Sequence, residues 1–214
     1  MRPLSSSLRE SLDLAVETFH KSLAGGPGAA YLAARGITPE CSARFKLGYV
    51  DTDGVPGFER FVGRLAIPNP CATEGRIVSL KFRAIGDQEP KYDAPVGWPT
   101  RLFNLDALNS ADDTIVITEG ELDAITLSMY GISAIGVPGA HNWKKHHASI
   151  LEGFRKVVLL RDADDAGGEM ARKILATDLP VIVVQPPHGT KDANEAHVAG
   201  LGDELVRVIR GALK

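Results

Sequence analysis

Apolar residues recur at helical spacing over the first part of the chain. The pattern over residues 7–24 predicts an amphipathic helix that Gly25 and Gly26 terminate. A second helix is expected over about 28–35, because Gly36 suits the position just after a helix C-terminus. Thr38-Pro39 then predicts the start of a third, short helix. This region is interpreted as a small helical subdomain that serves mainly for packing.

From Phe45 onward the helical periodicity gives way to alternation, which is typical of strands with one buried face. The alternating stretches cover residues 45–49, 64–68 and 76–83. In the last of these, Lys81 and Arg83 should lie on the face opposite Leu80 and Phe82, since successive side chains of a strand point to opposite sides. A cationic face of this kind suits phosphate groups, although any half-exposed strand can show the same pattern.

Residues 113–200 alternate short apolar runs with helical patterns, which predicts a βα array. The apolar runs cover residues 114–118, 134–137, 157–160 and 181–184. The first and the last two are rich in β-branched residues and are typical of parallel strands buried on both faces. Helices are expected after Glu119, over 143–152 with several basic side chains, from Asp164 to about Ala176, and from Asp203 to Leu213.

These patterns predict an α/β protein in which an α+β N-terminal subdomain precedes a βα domain with a mostly parallel central sheet. The expected bounds are 1–111 for the mixed subdomain, 112–200 for the βα domain and 201–214 for a C-terminal helix. Residues 44–101 carry nine Lys/Arg and seven Asp/Glu, whereas residues 102–214 carry eleven and sixteen. Such an asymmetry is expected if one lobe holds nucleic acid and the other holds metal.

Acidic residues follow three of the apolar runs of the βα array. Glu119 follows the first, Asp162 and Asp164 follow the third, and Asp192 follows the fourth after a Pro-Pro-His-Gly-Thr loop. Ligands of parallel sheets bind outside the carboxyl ends of the strands, so the acids are expected at one edge. Carboxylates gathered there repel one another unless a cation lies among them, and Mg²⁺ is the usual cation.

Composition narrows the classes of protein that remain. The chain has 214 residues, a formal net charge of −3 and only two cysteines, Cys41 and Cys71, which excludes a thiolate zinc site and makes a disulfide framework unexpected. No apolar run approaches the roughly 20 residues of a membrane span. The N-terminus lacks the pattern of a secretory signal, so we expect a cytoplasmic protein without membrane contact.

The acidic motifs, taken together, resemble a Toprim domain. The residues that carry the resemblance are Glu119-Gly-Glu-Leu-Asp123, Asp162-Ala-Asp164 with Gly167 three positions later, and Lys191-Asp192-Ala-Asn194-Glu195. Upstream motifs are similar, in the same order, to the RNA polymerase domain of bacterial replicative primases and of phage primase–helicases. They are Ala29-Ala-Tyr-Leu-Ala-Ala-Arg-Gly36, Arg44-Phe-Lys-Leu-Gly-Tyr49, Gly63-Arg-Leu-Ala-Ile-Pro68, Lys81-Phe-Arg83 and Pro90-Lys-Tyr92.

This resemblance implies a DNA primase catalytic core that synthesises short RNA primers on single-stranded DNA from ribonucleoside triphosphates, as a nucleotidyltransferase of a phage or bacterial replisome. It implies Glu119, Asp162 and Asp164 as catalytic residues. The same three with Asp192 would bind Mg²⁺ or Mn²⁺, most simply two ions, and no zinc. Glu119 could ligate metal or transfer a proton. Asp123, Asn194 and Gly167 would support the site.

The cationic residues that match the family's template and nucleotide track are Arg64, Lys81, Arg83, Lys91 and Arg101. Two departures accompany the match. The 214 residues of the chain include neither the family's zinc-binding template-recognition module nor a helicase, and the resemblance implies a replicative helicase and a separate or deleted zinc-binding module as partners. The turn after Lys91-Tyr92 reads Asp93-Ala94-Pro95, where the bacterial relatives have an asparagine.

Two alternatives of other classes remain open at this point. One is a nucleic-acid-binding Toprim module that has lost synthesis and is coupled to a helicase. The other is a Toprim nuclease that uses the same metals for hydrolysis, which the primase-like upstream half disfavours. Binding to single strands would not separate the three, because all of them contact phosphates.

Overall fold

The structure, a computed structural model, describes residues 6–52, 55–71, 75–110 and 112–214, with side chains from Leu8 onward. The chain divides into two compact units, residues 1–99 and 100–214. The division falls before the bound at 111 expected from the sequence. The reason is that Phe103 and Gly136 exchange two backbone hydrogen bonds (N···O 2.8 and 3.1 Å) and Asn104 Nδ2 donates to Ala134 O at 2.8 Å, which holds this segment against the second sheet.

The first unit contains helices that precede an antiparallel sheet. The helices are α1 (Ser6–Lys21), α2 (Pro27–Ala34) and α3 (Pro39–Arg44). The strands are β1 (Gly48–Tyr49), β2 (Arg64–Pro70), β3 (Ile77–Ala84) and β4 (Tyr92–Asp93), in the order β1-β2-β3-β4. The predicted third helix is confirmed, with Thr38 Oγ1 as its N-cap accepting from Cys41 N.

The core of this unit forms where α1 packs on the sheet. Its members are mainly aromatic and aliphatic side chains of α1, β3 and the intervening loop, including Leu12, Val16, Phe19, Phe58, Phe61 and Phe82. Phe61 and Phe82 stack with their ring centroids 3.9 Å apart. Gly48 permits this packing, because a Cβ there would lie 2.6 Å from the backbone carbon of Phe19. Helix α1 therefore rests directly on the backbone of β1.

The strand predicted over 45–49 is shorter than expected. Lys46 has a positive φ of 49°, and only Gly48 and Tyr49 pair with β2. A left-handed residue cannot continue a strand, so alternation of side chains alone overestimated its length.

The second unit is the predicted βα array. Its strands are β5 (Thr114–Thr118), β6 (Ala134–Gly136), β7 (Lys156–Leu160) and β8 (Val181–Val184), all parallel, in the order β6-β5-β7-β8. Its helices are α4 (Glu121–Met129), α5 (Asp165–Leu175), α6 (Ala193–Val198) and α7 (Gly202–Leu213). The mixed α/β class, with one antiparallel and one parallel sheet, is as predicted.

Two expectations for this unit were wrong in detail. The basic helix expected over 143–152 is instead a pair of 3₁₀ segments, Ala140–Asn142 and Lys145–Leu151. Strand β8, expected to be buried on both faces, lies at the edge of the sheet, and Ile182 remains 39% exposed. The central strands β5 and β7, by contrast, are buried from their second residue onward, as a run of β-branched residues suggests.

Candidate active site

The acidic residues predicted from the sequence follow the carboxyl ends of neighbouring strands. Glu119 follows β5 directly, and Asp162 lies two residues beyond β7. Asp164 is the N-cap of α5 and Asp192 is the N-cap of α6. Because β5, β7 and β8 are parallel and adjacent, these residues lie along the edge that the carboxyl ends of the strands form, as predicted.

Glu119 is held against the turn that follows β7. Its Oε1 accepts a hydrogen bond from the backbone N–H of Asp162 at 3.2 Å. Gly167, the third residue of α5, has no side chain and so leaves the space that the Glu119 carboxylate occupies. A Cβ at Gly167 would lie 2.4 Å from both Glu119 Oε1 and the carbonyl oxygen of Asp162. The glycine of the predicted motif is therefore needed for the close approach of backbone to carboxylate.

Asp162 is the acidic residue on which burial and the neighbouring carboxylates act together. Burial, followed by the negative charges of Asp123, Glu119, Asp192 and Asp164, raises the pKa of Asp162 to about 8. Burial is also the main cause that raises the pKa of Glu119, to which the charge of Asp164 adds. Burial and the neighbouring carboxylates both disfavour the ionised forms here, so a positive charge at this edge is favoured.

Asp164 has the opposite electrostatics, although it lies only two residues from Asp162. Its Oδ1 accepts from the backbone N–H of Gly167 at 2.9 Å, and its Oδ2 is 2.9 Å from Lys191 Nζ. The backbone hydrogen bond from Gly167, followed by the bond to Lys191, lowers the pKa of Asp164. Asp164 is therefore ionised at neutral pH in the same place where burial favours a protonated Asp162.

Asp123 and Asn194 join the helices behind the site. Both are buried, and the backbone N–H of Asn194 donates to Asp123 Oδ1 at 3.1 Å. The side-chain Nδ2 of Asn194 donates to Thr126 Oγ1 at 3.0 Å. Asp192 Oδ1 accepts from the backbone N–H of Glu195 at 2.7 Å. The two bonds of Asn194 fix α6 to α4, so Asp123 and Asn194 support the position of the segment that contains Asp192.

The donor set fits a hard cation. The acidic residues at this edge offer only carboxylate oxygens, which are the ligands that Mg²⁺ and Mn²⁺ prefer. Within residues 6–52, 55–71, 75–110 and 112–214, no three His, Cys, Asp or Glu side chains already converge on one point. The repulsion centred on Asp162 is the observation that favours a cation here, and the ligands would have to draw together around it.

The cationic residues predicted to bind nucleic acid lie in differing environments. Arg64 is 4% exposed and donates to the carbonyl oxygens of Pro90 and Glu89 at 2.7 and 3.2 Å. Arg83, expected on an open face, is 6% exposed. Lys81 and Arg101 are half-buried, and Lys91 is exposed. Alternation in β3 placed Arg83 on the correct strand face, but it could not reveal that tyrosines cover that face.

Asp93, in the turn that lacks the asparagine of the primase-like pattern, forms an ion pair with Arg60 (Oδ2 to Nη2, 2.5 Å). The bond from Arg60 lowers the pKa of Asp93. The departure from the pattern is thus accompanied by a local partner that neutralises the added charge.

Sequence reasoning missed Lys191, Tyr31 and Arg35 as candidate site residues. The motif that begins at Lys191 gives this residue no role of its own, although a lysine next to acidic residues is itself a signal for an ion pair. Tyr31 lies on α2 and Arg35, four residues later, is the residue that caps its C-terminus, a spacing typical of side chains on one helix face. That spacing was the available signal for a shared role.

Comparisons with known proteins agree with this fold. A family model described as Toprim-like matches residues 116–197. The gene 57 protein of Mycobacterium phage D29 is 37% identical over 150 residues, which cover 69% of this chain and 98% of that protein. The DNA primase of Deinococcus radiodurans is 26% identical over 98% of this chain and 44% of the primase. A DnaG primase catalytic domain, solved bound to ssDNA, matches 96% of this chain and 78% of that one, with a TM-score of 0.75 and 21% identity.

The fold and the acidic edge define a Toprim protein with the architecture of a primase catalytic core, which confirms the resemblance found in the motifs. The chain belongs to the same family as the gene 57 protein of phage D29. It spans nearly the whole of that phage protein, but less than half the length of the DNA primase that it matches. Among the described residues, no helix is both long and apolar enough to cross a membrane.

Proposed function

We propose that this chain is the catalytic core of a DNA primase, a nucleotidyltransferase that makes short RNA primers on a single-stranded DNA template from ribonucleoside triphosphates. The observation that carries the proposal is the placement of Glu119, Asp162, Asp164 and Asp192 at one edge of the parallel sheet. Its relationship to DNA primases and the ssDNA-bound DnaG domain of the same fold support it.

Glu119, Asp162, Asp164 and Asp192 would hold the metal, Mg²⁺ or Mn²⁺, and two ions would fit the number of carboxylates. Bound metal would supply charge neutralisation for the attack of a 3′-hydroxyl on an α-phosphate. Asp164 is already ionised and can offer both oxygens once Lys191 moves aside. Asp162 must lose its proton to act as a ligand, because its pKa is about 8. Metal binding would therefore release protons near neutral pH.

The rest of the site has positioning tasks. Glu119 is fixed by the N–H of Asp162 and stands at the carboxyl end of the central strand β5, where it can ligate metal or accept the hydroxyl proton. The proposed track for template and nucleotide consists of five cationic residues: Arg64, Lys81, Arg83, Lys91 and Arg101. A replicative helicase and a separate or deleted zinc-binding module are the proposed partners.

The test is nucleotide incorporation on single-stranded template with Mg²⁺ or Mn²⁺. Wild type is compared with Asp162→Ala, Asp164→Ala and a matched control, Asp165→Asn. Asp165 is the next acidic residue and is exposed on the first turn of α5. We expect metal-dependent oligoribonucleotides from wild type and from D165N, and a loss of at least a hundredfold from D162A and D164A.

Other products would select the other classes. Degradation of the template by wild type would establish a nuclease. Binding of template and metal with no product, even on primed template at high protein concentration, would establish a binding module coupled to a helicase. Template should be tested without a required start sequence, so that weak priming at any particular site is not mistaken for absence of synthesis.

A further inference from the structure

Lys191 brings a positive charge to the acidic edge of the parallel sheet. Its Nζ lies 2.9 Å from Asp164 Oδ2, and the side chains are 53% and 36% exposed, so small ions in solution can reach the pair. The bond to Asp164 raises the pKa of Lys191, and the charges of Asp162 and Asp192 act in the same direction. Lys191 is therefore a charged ammonium in the field of three of the four proposed metal ligands.

The backbone of Lys191 is fixed beside these acids independently of its side chain. Its carbonyl oxygen accepts from the N–H of Ala163 at 2.8 Å, the residue between Asp162 and Asp164. Its own N–H donates to Glu195 Oε2 at 2.5 Å. The ammonium thus extends from a fixed point on a flexible four-carbon stem, which lets it leave Asp164 without any change in the backbone.

A second cation at this edge, Arg161, has a different partner. The side-chain oxygen of Gln185, with the amide oriented to fit its donors, accepts from Arg161 Nε at 3.1 Å. The charges of Lys191 and Arg161 both oppose the rise in the pKa of Glu119, of which burial is the main cause. Lys191 differs from Arg161 in that it pairs directly with a carboxylate of the edge.

Lys191 and a divalent ion would need the same carboxylate. Asp164 Oδ1 accepts from the N–H of Gly167 at 2.9 Å, and its Oδ2 is the oxygen that contacts Lys191. An ammonium that stayed on Oδ2 would lie within a few ångströms of a metal bound by Asp164, where like charges repel strongly. A partly exposed lysine–carboxylate pair is weak, so a divalent ion attracted by several carboxylates can displace it.

We infer that Lys191 is a resident counter-ion of the acidic edge, which offsets part of its negative charge before metal binds and competes with the metal for Asp164. Lys191 is thus a positioning residue, because it acts through Asp164. The inference rests on the proposed metal site and deepens it. The affinity of the site for metal becomes a balance between the incoming ion and a charge that the chain itself supplies.

The experiment compares Lys191→Met with Lys173→Met in the full chain. Lys173 is a matched control, since its Nζ pairs with Glu169 Oε1 at 2.8 Å, with side chains 38% and 39% exposed, and Glu169 is not a proposed ligand. Binding of Mn²⁺ is measured from the EPR signal of the free ion, without nucleotide or DNA. We expect K191M to lower the Kd for Mn²⁺ about 3- to 30-fold, because the competing charge is removed. K173M should stay within about twofold of wild type.

Thermal melting supplies a readout that separates competition from a merely structural contact. In EDTA, K191M should melt below wild type, because the carboxylates have lost their counter-ion. On addition of Mg²⁺, the melting temperature of K191M should rise by more than that of wild type, since tighter binding stabilises the folded state more. Lys191→Arg keeps the positive charge and should bind Mn²⁺ no more tightly than wild type. A purely structural contact would lower both melting temperatures of K191M alike and leave its Kd unchanged.

These readouts do not depend on primer synthesis. The inference is overturned if K191M binds Mn²⁺ no more tightly than K173M, or if wild type binds no Mn²⁺ at all. Primer synthesis by wild type, together with an unchanged Kd in K191M, would refute the inference alone. Tighter Mn²⁺ binding by K191M, in a protein whose wild type makes no primers, would refute the proposed function and leave the inference standing.

Discussion

At the scale of single residues, the ionised form of Asp162 lowers the stability of the fold but is the form that the proposed metal site requires. Its pKa is raised from 3.8 to about 8 in the folded protein. Between these pH values the folded state therefore binds more protons than the unfolded state, and stability falls as the pH rises through this window. The proposed metal-binding edge is thus predicted to be least stable when Asp162 is ionised and no cation is bound.

Asp162→Asn should raise the melting temperature at pH 8 without divalent ions, because it removes the buried charge. Discounting for the several acids that share the titration, we expect about 1–2 kcal/mol, or roughly 3–6 °C for a chain of this size. The gain should shrink at pH 5, where Asp162 is already protonated, and D165N should show no gain. Differential scanning fluorimetry in EDTA measures this, and a D162N protein that melts at or below wild type at pH 8 would contradict it.

Gly167 and Gly168 offer a matched pair of substitutions. Gly167→Ala would place its Cβ 2.4 Å from Glu119 Oε1 and from the backbone of Asp162, whereas Gly168→Ala meets only the flexible end of Arg161 at 3.3 Å. We expect G167A to destabilise the protein by about 1–3 kcal/mol and to displace the Glu119 carboxylate. G168A should melt within about 1 kcal/mol of wild type, since alanine is the better helix former. Chemical denaturation and primer synthesis distinguish the two, and equal behaviour would refute the role given to Gly167.

At the scale of elements, the bonds between α4 and α6 position the loop that carries Lys191 and Asp192. Asn194 is 2% exposed, and its Nδ2 donates to Thr126 across the two helices. Asn194→Ala leaves that hydroxyl without its donor in a buried place, so we expect a loss of about 1–3 kcal/mol. Asn109→Ala, which removes an exposed bond to Asp106, should cost little. Urea unfolding measures both, and equal midpoints for N194A and wild type would exclude the linking role.

The elements also show which parts of the fold the sequence could reveal. The run Val181–Val184 and the helix beginning at Asp165 were predicted at their observed positions, because β-branched runs and an Asp cap are strong local signals. The 3₁₀ segments over 140–151 were not, because a lone helical pattern does not distinguish an α-helix from tighter turns. The acidic edge was predictable because parallel strands align their ends. The contacts of Arg83 with Tyr31 and Tyr92 were not, because they join α2, β3 and β4 through residues that are distant in the sequence.

At the scale of the whole molecule, the two units have separate cores. A fragment of residues 100–214 should therefore fold cooperatively and gain stability on addition of Mg²⁺ or Mn²⁺. A fragment of residues 112–214 lacks Phe103 and Asn104, which bond to β6, and should melt at a lower temperature. Circular dichroism melts of both fragments test this. Equal melting temperatures would show that the segment before residue 112 contributes nothing to the second unit.

The same segment has a bearing on self-association. A parallel sheet has two edges whose free N–H and C=O groups can recruit strands from other molecules. Here the β6 edge is bridged by the backbone of Phe103, and the opposite edge, β8, is bracketed by Pro180 before it and Pro186-Pro187 after it. Prolines donate no hydrogen bond, so a strand from another chain could pair only along the five residues from Val181 to Gln185. The exposed edge strand β8 is therefore too short to recruit further strands and start an aggregate.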